Sequence, residues 1–407
     1  MKIEKTQEDS AANAPSRRAF LKATTLAGGG MAIGFVLPGV ASKLTGSEAQ
    51  AKVTTVAMDH WIHILPDSSV RIMVDKSEMG QGVATSMPML IAEELDMDWE
   101  KVSYDYAPAA PQYANPAFGV QATRGSTSVR AMYLPLRQAG AAAKFMLMTA
   151  AAQHWSVDLA RVSAAEGVIK GPDGKQTTYG DMATVASRIA PPDAKNLKLK
   201  SPEEFKYIGK AVKRLDTPAK VNGTAQFGID VELPEMLTAV VLRSPVLYGK
   251  VAKVDDAAAK AVKGVKHVVQ VKTPTSEGVA VVADSYWAAT MGRNALTVTW
   301  DDGEKAGLSS EILHEEMSAA ADSGKGLIVA KAEGNVASAK VIKSVTAEYE
   351  VPYLAHAPME PMNITASVTA DGVHIYGGTQ LQGPTQFIVA QAMKIKPEQV
   401  KVTTTHL

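Results

Sequence analysis

The spacing of apolar positions changes period several times along the chain, and those changes mark out its elements. Val70, Ile72 and Val74 stand two apart, as on a half-buried strand, and Val102, Tyr104 and Tyr106 repeat the pattern. Between them Leu90, Ile91, Glu94 and Leu95 fall at helical spacing. Ala131 to Trp155 reads as the strongest helix, with Leu134, Ala141, Phe145, Met148 and Ala152 expected on one buried stripe. Its alanines predict close packing against a neighbour, and Met146 and Met148 read as core filler. A Pro- and Lys-rich stretch near 190–205 reads as a linker. Beyond it, strands are expected at Ala239–Leu242, Val268–Val271, Val279–Val282 and across Leu296, Val298 and Trp300, with a helix over Ala257–Val262. A polar stretch from Asp301 to Lys325 leads to further strands at Ile364–Thr369, Val373–Tyr376 and Val400–Thr404, and to a helix over Thr385–Met393.

The expected organisation is therefore α+β, with an N-terminal segment over 1–51, a folded segment over 52–190, and a linker over 191–207. A small α+β unit follows over 208–303, then a second linker over 304–344 and a third segment over 345–407. The pattern stops inside a strand at Thr405-His406-Leu407, from which a truncated product or a fragment is expected.

Composition narrows the partners. Hydrophobic residues make up 46% and charged residues 21%, enough to bury real cores. Lys plus Arg equals Asp plus Glu, 42 each, so no electrostatic footprint for nucleic acid is present. There is no cysteine, which excludes a disulfide framework, thiolate-held iron–sulfur clusters and a C-x-x-C-H haem site within the chain. Electrons from any redox chemistry would have to leave through another polypeptide.

Ser16-Arg17-Arg18-Ala19-Phe20-Leu21-Lys22 has the twin-arginine form, an uncharged Gly- and Ala-rich run follows from Ala23 to Ser42, and Ala49-Gln50-Ala51 offers a cleavage site. That order reads as an export signal leading to the periplasm. A short membrane anchor is the alternative, which the glycines and Pro38 weaken. Twin-arginine export carries folded proteins, usually those that acquire a complex cofactor before export.

Three later blocks could hold a ligand. Met79-Gly80-Gln81-Gly82 lies between a strand and a helix, where glycines let backbone N–H groups approach an anion, or simply make a tight turn. Thr123-Arg124-Gly125-Ser126-Thr127-Ser128 precedes the alanine-rich helix and reads equally as a phosphate or pterin cradle and as a helix cap. Gly377-Gly378-Thr379-Gln380-Leu381-Gln382 puts two amides on a glycine-opened turn, for donation to a ligand or as a plain surface loop. His60 and His63 lack a metal-spaced partner, and Pro358 and Pro361 argue against a helical His356–Glu360 ligand pair. No G-x-S-x-G, S-x-x-K or H-E-x-x-H motif supports a hydrolase.

Taken in order, Glu78-Met79-Gly80-Gln81-Gly82, Gln121 to Arg130, Ala355-His356-Ala357-Pro358-Met359-Glu360-Pro361 and Thr379-Gln380 resemble the molybdopterin-binding large subunit of the xanthine dehydrogenase and aldehyde oxidase family. The branch most resembled is that of the isoquinoline 1-oxidoreductase beta subunits, where the Gly-Gln-Gly block precedes the small domain. The segment over 208–303, with Arg214 to Val221 and Ala225 to Asp230, resembles that family's small hammerhead domain. The resemblance implies molybdopterin-binding segments flanking a small α/β hammerhead domain.

It also implies a molybdopterin cofactor, in its cytosine dinucleotide form, carrying molybdenum through the pterin and not through side chains. Gly80, Gln81 and Gly82 would contact the pterin; Thr123, Gly125, Ser126, Thr127 and Ser128 would hold the pyrophosphate and dinucleotide. Thr379 would lie beside the cofactor, and Gln380 would hydrogen-bond an oxo ligand of the metal as the one catalytic side chain. The implied partners are a small [2Fe-2S] subunit, a cytochrome c-type electron acceptor and a small-molecule substrate, an N-heterocycle or an aldehyde hydroxylated with oxygen from water. The family's metal-covering glycine loop and its glutamate base are expected beyond Leu407, so this chain alone is expected to be inactive. Arg124 stands where the family has glycine. The competing expectations are a catalytically inactive fragment and an exported ligand-binding protein that shares the fold.

Overall fold

The computed structural model describes residues 60–273, 275–324, 328 and 330–407, with the backbone of 31–33. The twin-arginine motif, most of the uncharged run and Ala49-Gln50-Ala51 lie outside the described residues. The chain divides into two compact units, one formed by Met1–Val231 with Glu360–Leu407 and the other by Glu232–Met359.

The larger unit begins with a four-stranded sheet of β1 (Met31–Ile33), β2 (Ile62–Ile64), β3 (Val70–Val74) and β4 (Val102–Tyr106), in that order. The first three run antiparallel, and β4 lies parallel to β3 with Val70 opposite Val102 and Val74 opposite Tyr106. A parallel pair needs a crossover, which α1 (Val83–Leu95) supplies. The period-two pattern is borne out in β3, whose burial alternates over Val70, Ile72 and Val74.

Helix α2 (Ser128–Trp155) packs along α1, but not by the expected stripe. Leu134 is 52% exposed and Phe145 36% exposed, whereas Met132, Leu136, Ala139, Ala143, Met146, Leu147 and Ala150 form the buried face. Apolar residues occur nearly all round this helix, so large side chains do not reveal which face is covered. Close approach does: a Cβ on Gly140 would stand 2.4 Å from the carbonyl oxygen of Ile91. Small residues on the shared face let the two backbones meet, and each large apolar side chain buried there contributes about 1.5–3 kcal/mol. Met146 is core filler as expected; Met148 is only partly buried.

A small antiparallel sheet of β5 (Ser163–Ala165), β6 (Val168–Lys170) and β7 (Gln176–Thr178) follows, and then α3 (Tyr179–Ala186), opened by a reciprocal Thr178–Asp181 cap. Residues 200–216, read in part as linker, are a bonded strap along α1. The Glu93 carboxylate accepts the N–H groups of Lys206, Tyr207 and Ile208 and the Lys200 ammonium, and Leu215 donates to Thr85 Oγ1 at 3.0 Å. The short α4 (Thr217–Asn222) ends the strap. Residues 208–231 thus fold with the larger unit, so the smaller one begins near Glu232 and not at Ile208.

The smaller unit holds two antiparallel sheets. In one, β8 (Thr238–Arg243), β10 (Val265–Thr273) and β11 (Ser276–Ala283) lie in the order β10-β11-β8; in the other, β9 (Lys250–Asp255) pairs with β12 (Thr297–Asp301). Helices α5 (Ala257–Ala261) and α6 (Tyr286–Asn294) cover the first sheet through Ala259, Ala288 and Ala289. Helix α7 (Ser310–Ser323) occupies part of the stretch read as a second linker. Residues 345–364, where the third segment was expected to begin, carry neither helix nor strand.

The chain returns to the larger unit with β13 (Thr365–Thr369), β14 (Gly372–Gly377), α8 (Gln382–Met393) and β15 (Val400–Thr404). Strand β14 is central, antiparallel to β13 and parallel to β15, with α8 as the crossover. Val373, Ile375, Ala390, Val400 and Val402 form its core.

Candidate functional site

The residues between β3 and α1 are folded around one carboxylate. Glu78, buried completely, accepts the N–H groups of Gly80 at 2.8 Å and Gly82 at 2.9 Å on Oε1, and that of Ala84 at 2.9 Å on Oε2. Gly82 is the N-cap of α1 but has no side chain to close it, so Glu78 reaches forward and performs the capping. Gly80 and Gly82 take φ of +101° and +91°, conformations that a side chain would strain. Gln81 folds back on the same turn: its Oε1 accepts from Met79 N at 2.7 Å and its Nε2 donates to Ser77 O at 2.8 Å. Arg214 closes the turn from the strap, donating to Gly80 O and to Glu78 Oε1, both at 3.1 Å.

The second block is built differently. Thr127 is buried, accepts from Asn115 Nδ2 at 2.8 Å and donates to Arg124 O at 2.7 Å. Gly125 and Ser126 turn through φ of +60° and +50° and stand exposed with Arg124 at the start of the 28-residue α2. Neither the Ser126 nor the Ser128 hydroxyl has a hydrogen-bond partner among the described residues. Arg124 has a negative φ and lies over the Phe118 ring at 5.2 Å, so the backbone does not require the family's glycine there.

The third block joins the other two. Thr123 N donates to Gln380 O at 2.7 Å, and Gln380 Nε2 donates to Thr123 O at 2.8 Å, across 257 positions of sequence. Ser77 N donates to Thr123 Oγ1 at 2.9 Å, the Ser77 hydroxyl donates to Thr379 O, and Gln382 Nε2 donates to Ser77 Oγ at 2.8 Å. Leu381 N donates to Thr379 Oγ1 at 3.1 Å. Gly80, Gln81, Gly82, Thr123, Thr379 and Gln380 therefore belong to one hydrogen-bonded neighbourhood, and Arg124 to Ser128 continue the chain from it. Sequence reasoning missed Ser77, Asn115, Arg214 and the bridging role of Gln382. Of these only Gln382 had a local signal, as the second amide on its turn.

Electrostatics around the neighbourhood favour neutral hydroxyls and fixed charges. Burial, with the charges of Asp216 and Glu78, pushes the Tyr104 phenol up to about 12. Burial raises Tyr106 further and lowers His406, with Lys220 adding to the latter, so the Tyr106–His406 hydrogen bond of 3.0 Å joins two neutral groups near pH 7. Burial pulls Asp216 upward, but hydrogen bonds from Arg214 and Lys220 outweigh it and hold the carboxyl at about 2. Deeper in, Asp75 and Lys76 form a fully buried ion pair; burial raises the Asp75 carboxyl more than Lys76 lowers it.

The other candidates do not join the site. His60 packs edge-on against Tyr113, and burial followed by His63 lowers its ring pKa. Glu360 accepts from Ile229 N at 2.9 Å and Asn363 Nδ2 at 2.8 Å, and no helix spans His356 to Glu360. Among the described residues no group of three or more His, Asp or Glu side chains is placed to hold a metal, and no helix is long and apolar enough to cross a membrane.

Two observations bear on whether a pterin nucleotide fits. A Cβ built on Gly80 or Gly82 meets nothing within 4 Å, so the first turn faces open space. Gln382 Oε1, one bond from the Ser77–Thr379 junction, is buried with no hydrogen-bond partner. An open face beside exposed donors and an unpaired buried acceptor suit a ligand rich in both donors and acceptors.

Two models of a molybdopterin cofactor-binding domain match the chain, one over residues 6–233 and one over 315–407. The isoquinoline 1-oxidoreductase beta subunit of Brevundimonas diminuta is 30% identical over 89% of this chain and 51% of its own length. The membrane-bound, pyrroloquinoline-quinone aldehyde dehydrogenase of Gluconacetobacter polyoxogenes is 31% identical over 95% of this chain and 50% of its own length. The chain thus spans about half the length of these relatives. Among solved structures, a Cu,Mo-CO dehydrogenase overlays with a TM-score of 0.31 at 18% identity, over 48% of this chain and 30% of that one.

Proposed function

We propose, from the premise that the chain belongs to the xanthine dehydrogenase and aldehyde oxidase family of molybdopterin-binding proteins, that it forms the front part of the cofactor-holding subunit of a molybdenum hydroxylase. The reaction proposed is hydroxylation of an N-heterocycle or an aldehyde with oxygen from water. The observation that carries the reading is the convergence of three sequence-distant blocks through Ser77, Thr123 and Gln380.

The residues divide the work of binding. The exposed start of α2, with its unpaired N-terminal N–H groups and the Ser126 and Ser128 hydroxyls, suits a pyrophosphate and the cytosine dinucleotide. The Met79–Gly82 turn presents the Gln81 amide, which retains one N–H and one lone pair beyond its two internal bonds. Gln380 likewise keeps a second N–H while the first holds Thr123, and that N–H is the donor that would serve the cofactor's metal centre. When bound, the pterin-held molybdenum supplies the redox centre that takes the substrate's electron pair.

Proton removal is the step for which these residues offer no group. Glu78 is saturated by three N–H groups and Arg214, Glu360 is bonded to Ile229 and Asn363, and Glu398 is exposed in the short turn before β15. We therefore propose that the chain by itself does not turn over substrate. With no cysteine, it would pass electrons to a small [2Fe-2S] subunit and a cytochrome c-type acceptor.

The test is elemental: chain purified from a host that makes the cofactor should carry molybdenum with matching phosphorus. Its absence from folded chain would leave an exported protein that shares only the fold. Periplasmic placement rests on Arg17-Arg18 and Ala49-Gln50-Ala51. Changing both arginines to lysine should leave precursor in the cytoplasm, and undiminished export would refute it.

A further inference from the structure

The Arg214 side chain has no place in the three blocks, yet among the described residues it is the one cation that bonds to the first turn. Its guanidinium uses four of its five N–H donors: Nε to Asp216 Oδ1 at 2.9 Å, Nη2 to Asp216 Oδ2 at 2.7 Å and to Glu78 Oε1 at 3.1 Å, and Nη1 to Gly80 O at 3.1 Å. Asp216 is itself buried and shared with Lys220 at 2.8 Å, so the fork is anchored from behind. Glu78 holds the N–H side of the turn and Arg214 the carbonyl side. Between them every strong polar group of Gly80 has a fixed partner. The strap also docks on α1 next door, through Leu215 N and Thr85 Oγ1, which touches neither charge.

We infer that Arg214 is a positioning residue for the Met79–Gly82 turn: by bridging Gly80 O and Glu78 it sets where the Gln81 amide stands, and so controls how firmly the pterin is held. The inference rests on the cofactor reading above. It requires a planar fork and not merely a positive charge. One ammonium can make one or two of these bonds but cannot bracket the Asp216 carboxylate and reach both Gly80 and Glu78. Neither Glu78 nor Arg214 bonds to the α2 start, so loosening Arg214 should weaken the pterin end of the ligand more than the dinucleotide end.

Two variants of the full chain separate positioning from plain stability. Arg214→Lys keeps the charge and loses the fork; Thr85→Val removes the strap's neighbouring bond and leaves the turn untouched. Each is produced in a host that makes the cofactor and compared by melting temperature, by bound molybdenum and by amide hydrogen exchange at Gly80, Gly82 and Ala84. The expectation for R214K is exchange at those amides faster by about tenfold, molybdenum content several-fold lower, and melting close to that of the T85V chain, which itself keeps slow exchange and full molybdenum. Unchanged exchange in R214K overturns the clamp whatever the metal content. Faster exchange with unchanged molybdenum overturns the positioning role. If the unaltered chain binds no molybdenum, the cofactor reading fails, and the clamp then stands or falls on the exchange result alone.

Discussion

Two glycine turns in this molecule look alike in sequence and differ in what they leave available. In Met79-Gly80-Gln81-Gly82 the glycine N–H groups are consumed internally, because Glu78 lies just before the turn and folds under it. In Arg124-Gly125-Ser126 no acid among the described residues bonds to the turn, the turn is exposed, and the burden of fixing it falls on the neutral Thr127–Asn115 pair beneath. The first turn is pre-shaped by a buried charge and offers only the remainder of one amide. The second is open and offers hydroxyls and a helix terminus. A glycine pattern therefore announces a close turn without saying whether its donors face a ligand. The nearest carboxylate decides that.

The largest expected effect breaks the first turn outright. Glu78→Ala strips the acceptor from three backbone N–H groups and removes one of the two carboxylates on Arg214. Losing one side of such a buried network costs about 3–5 kcal/mol, read from urea denaturation. The hydroxyl deletion Ser126→Ala in the second turn should leave stability unchanged. A Glu78 variant as stable as the parent would show that the turn is shaped by something other than its acid.

How much of this was legible in the sequence follows the same division between local and distant. Strands β14 and β15 and helix α8 were expected within a few residues of where they lie, because period-two and helical patterns are local properties. The α2 helix was legible but its buried face was not, since Leu134 and Phe145 are large and yet exposed while small residues meet α1. The part of the strap up to residue 207 read as linker because Lys and Pro stand out in that stretch. Its order comes from Glu93 and Asp96, more than 100 positions earlier, which no window can see. The three ligand blocks were found as blocks. That Gln380 is paired to Thr123, and that Ser77 joins them, depends on tertiary approach alone.

Acid should separate the two turns next. Burial pushes the Glu93 and Asp96 carboxyls up, but backbone N–H groups and Lys200 for Glu93, and Lys144 and Lys200 for Asp96, outweigh it and leave both below their ordinary values of 4.5 and 3.8. A depressed carboxylate contributes stability that is fully present above its unfolded value and is lost as pH falls through the folded one. The strap that carries Arg214 should thus loosen below about pH 4, exposing 200–216 to exchange and to protease. The second turn, with no carboxylate in its support, should keep its protection. Simultaneous loss at both turns would mean that they are not independent.

A smaller effect tests the second turn by itself. Gly125 has φ +60°, and an added Cβ would stand 3.1 Å from the Phe118 ring. Gly125→Ala should cost about 1–2 kcal/mol from the left-handed backbone, with some relief if the ring swings aside. Gly82→Ala carries a comparable backbone strain but meets no atom. Near-equal melting shifts for the two would therefore assign the cost to φ, and a larger one for Gly125 would assign the excess to Phe118.

A small expected stability effect belongs to the residue with the largest expected effect on chemistry. Gln380 is exposed, and its side chain makes one internal hydrogen bond, from Nε2 to Thr123 O; the companion bond from Thr123 N goes to the Gln380 backbone and survives any substitution. Gln380→Ala should therefore lower stability by only about 0.5–1.5 kcal/mol, a shift of a few degrees at most. Its second N–H, the one proposed to serve the metal centre, is lost at the same time, so turnover in an assembled enzyme should fall far more than the melting temperature does. Gln380→Glu sharpens the point: it keeps the shape but replaces a donor with an acceptor facing the Thr123 carbonyl, which should repel. If both variants melt well below the parent while turnover is normal, Gln380 is a structural amide joining two blocks, and the donor to the cofactor must be sought at Gln81.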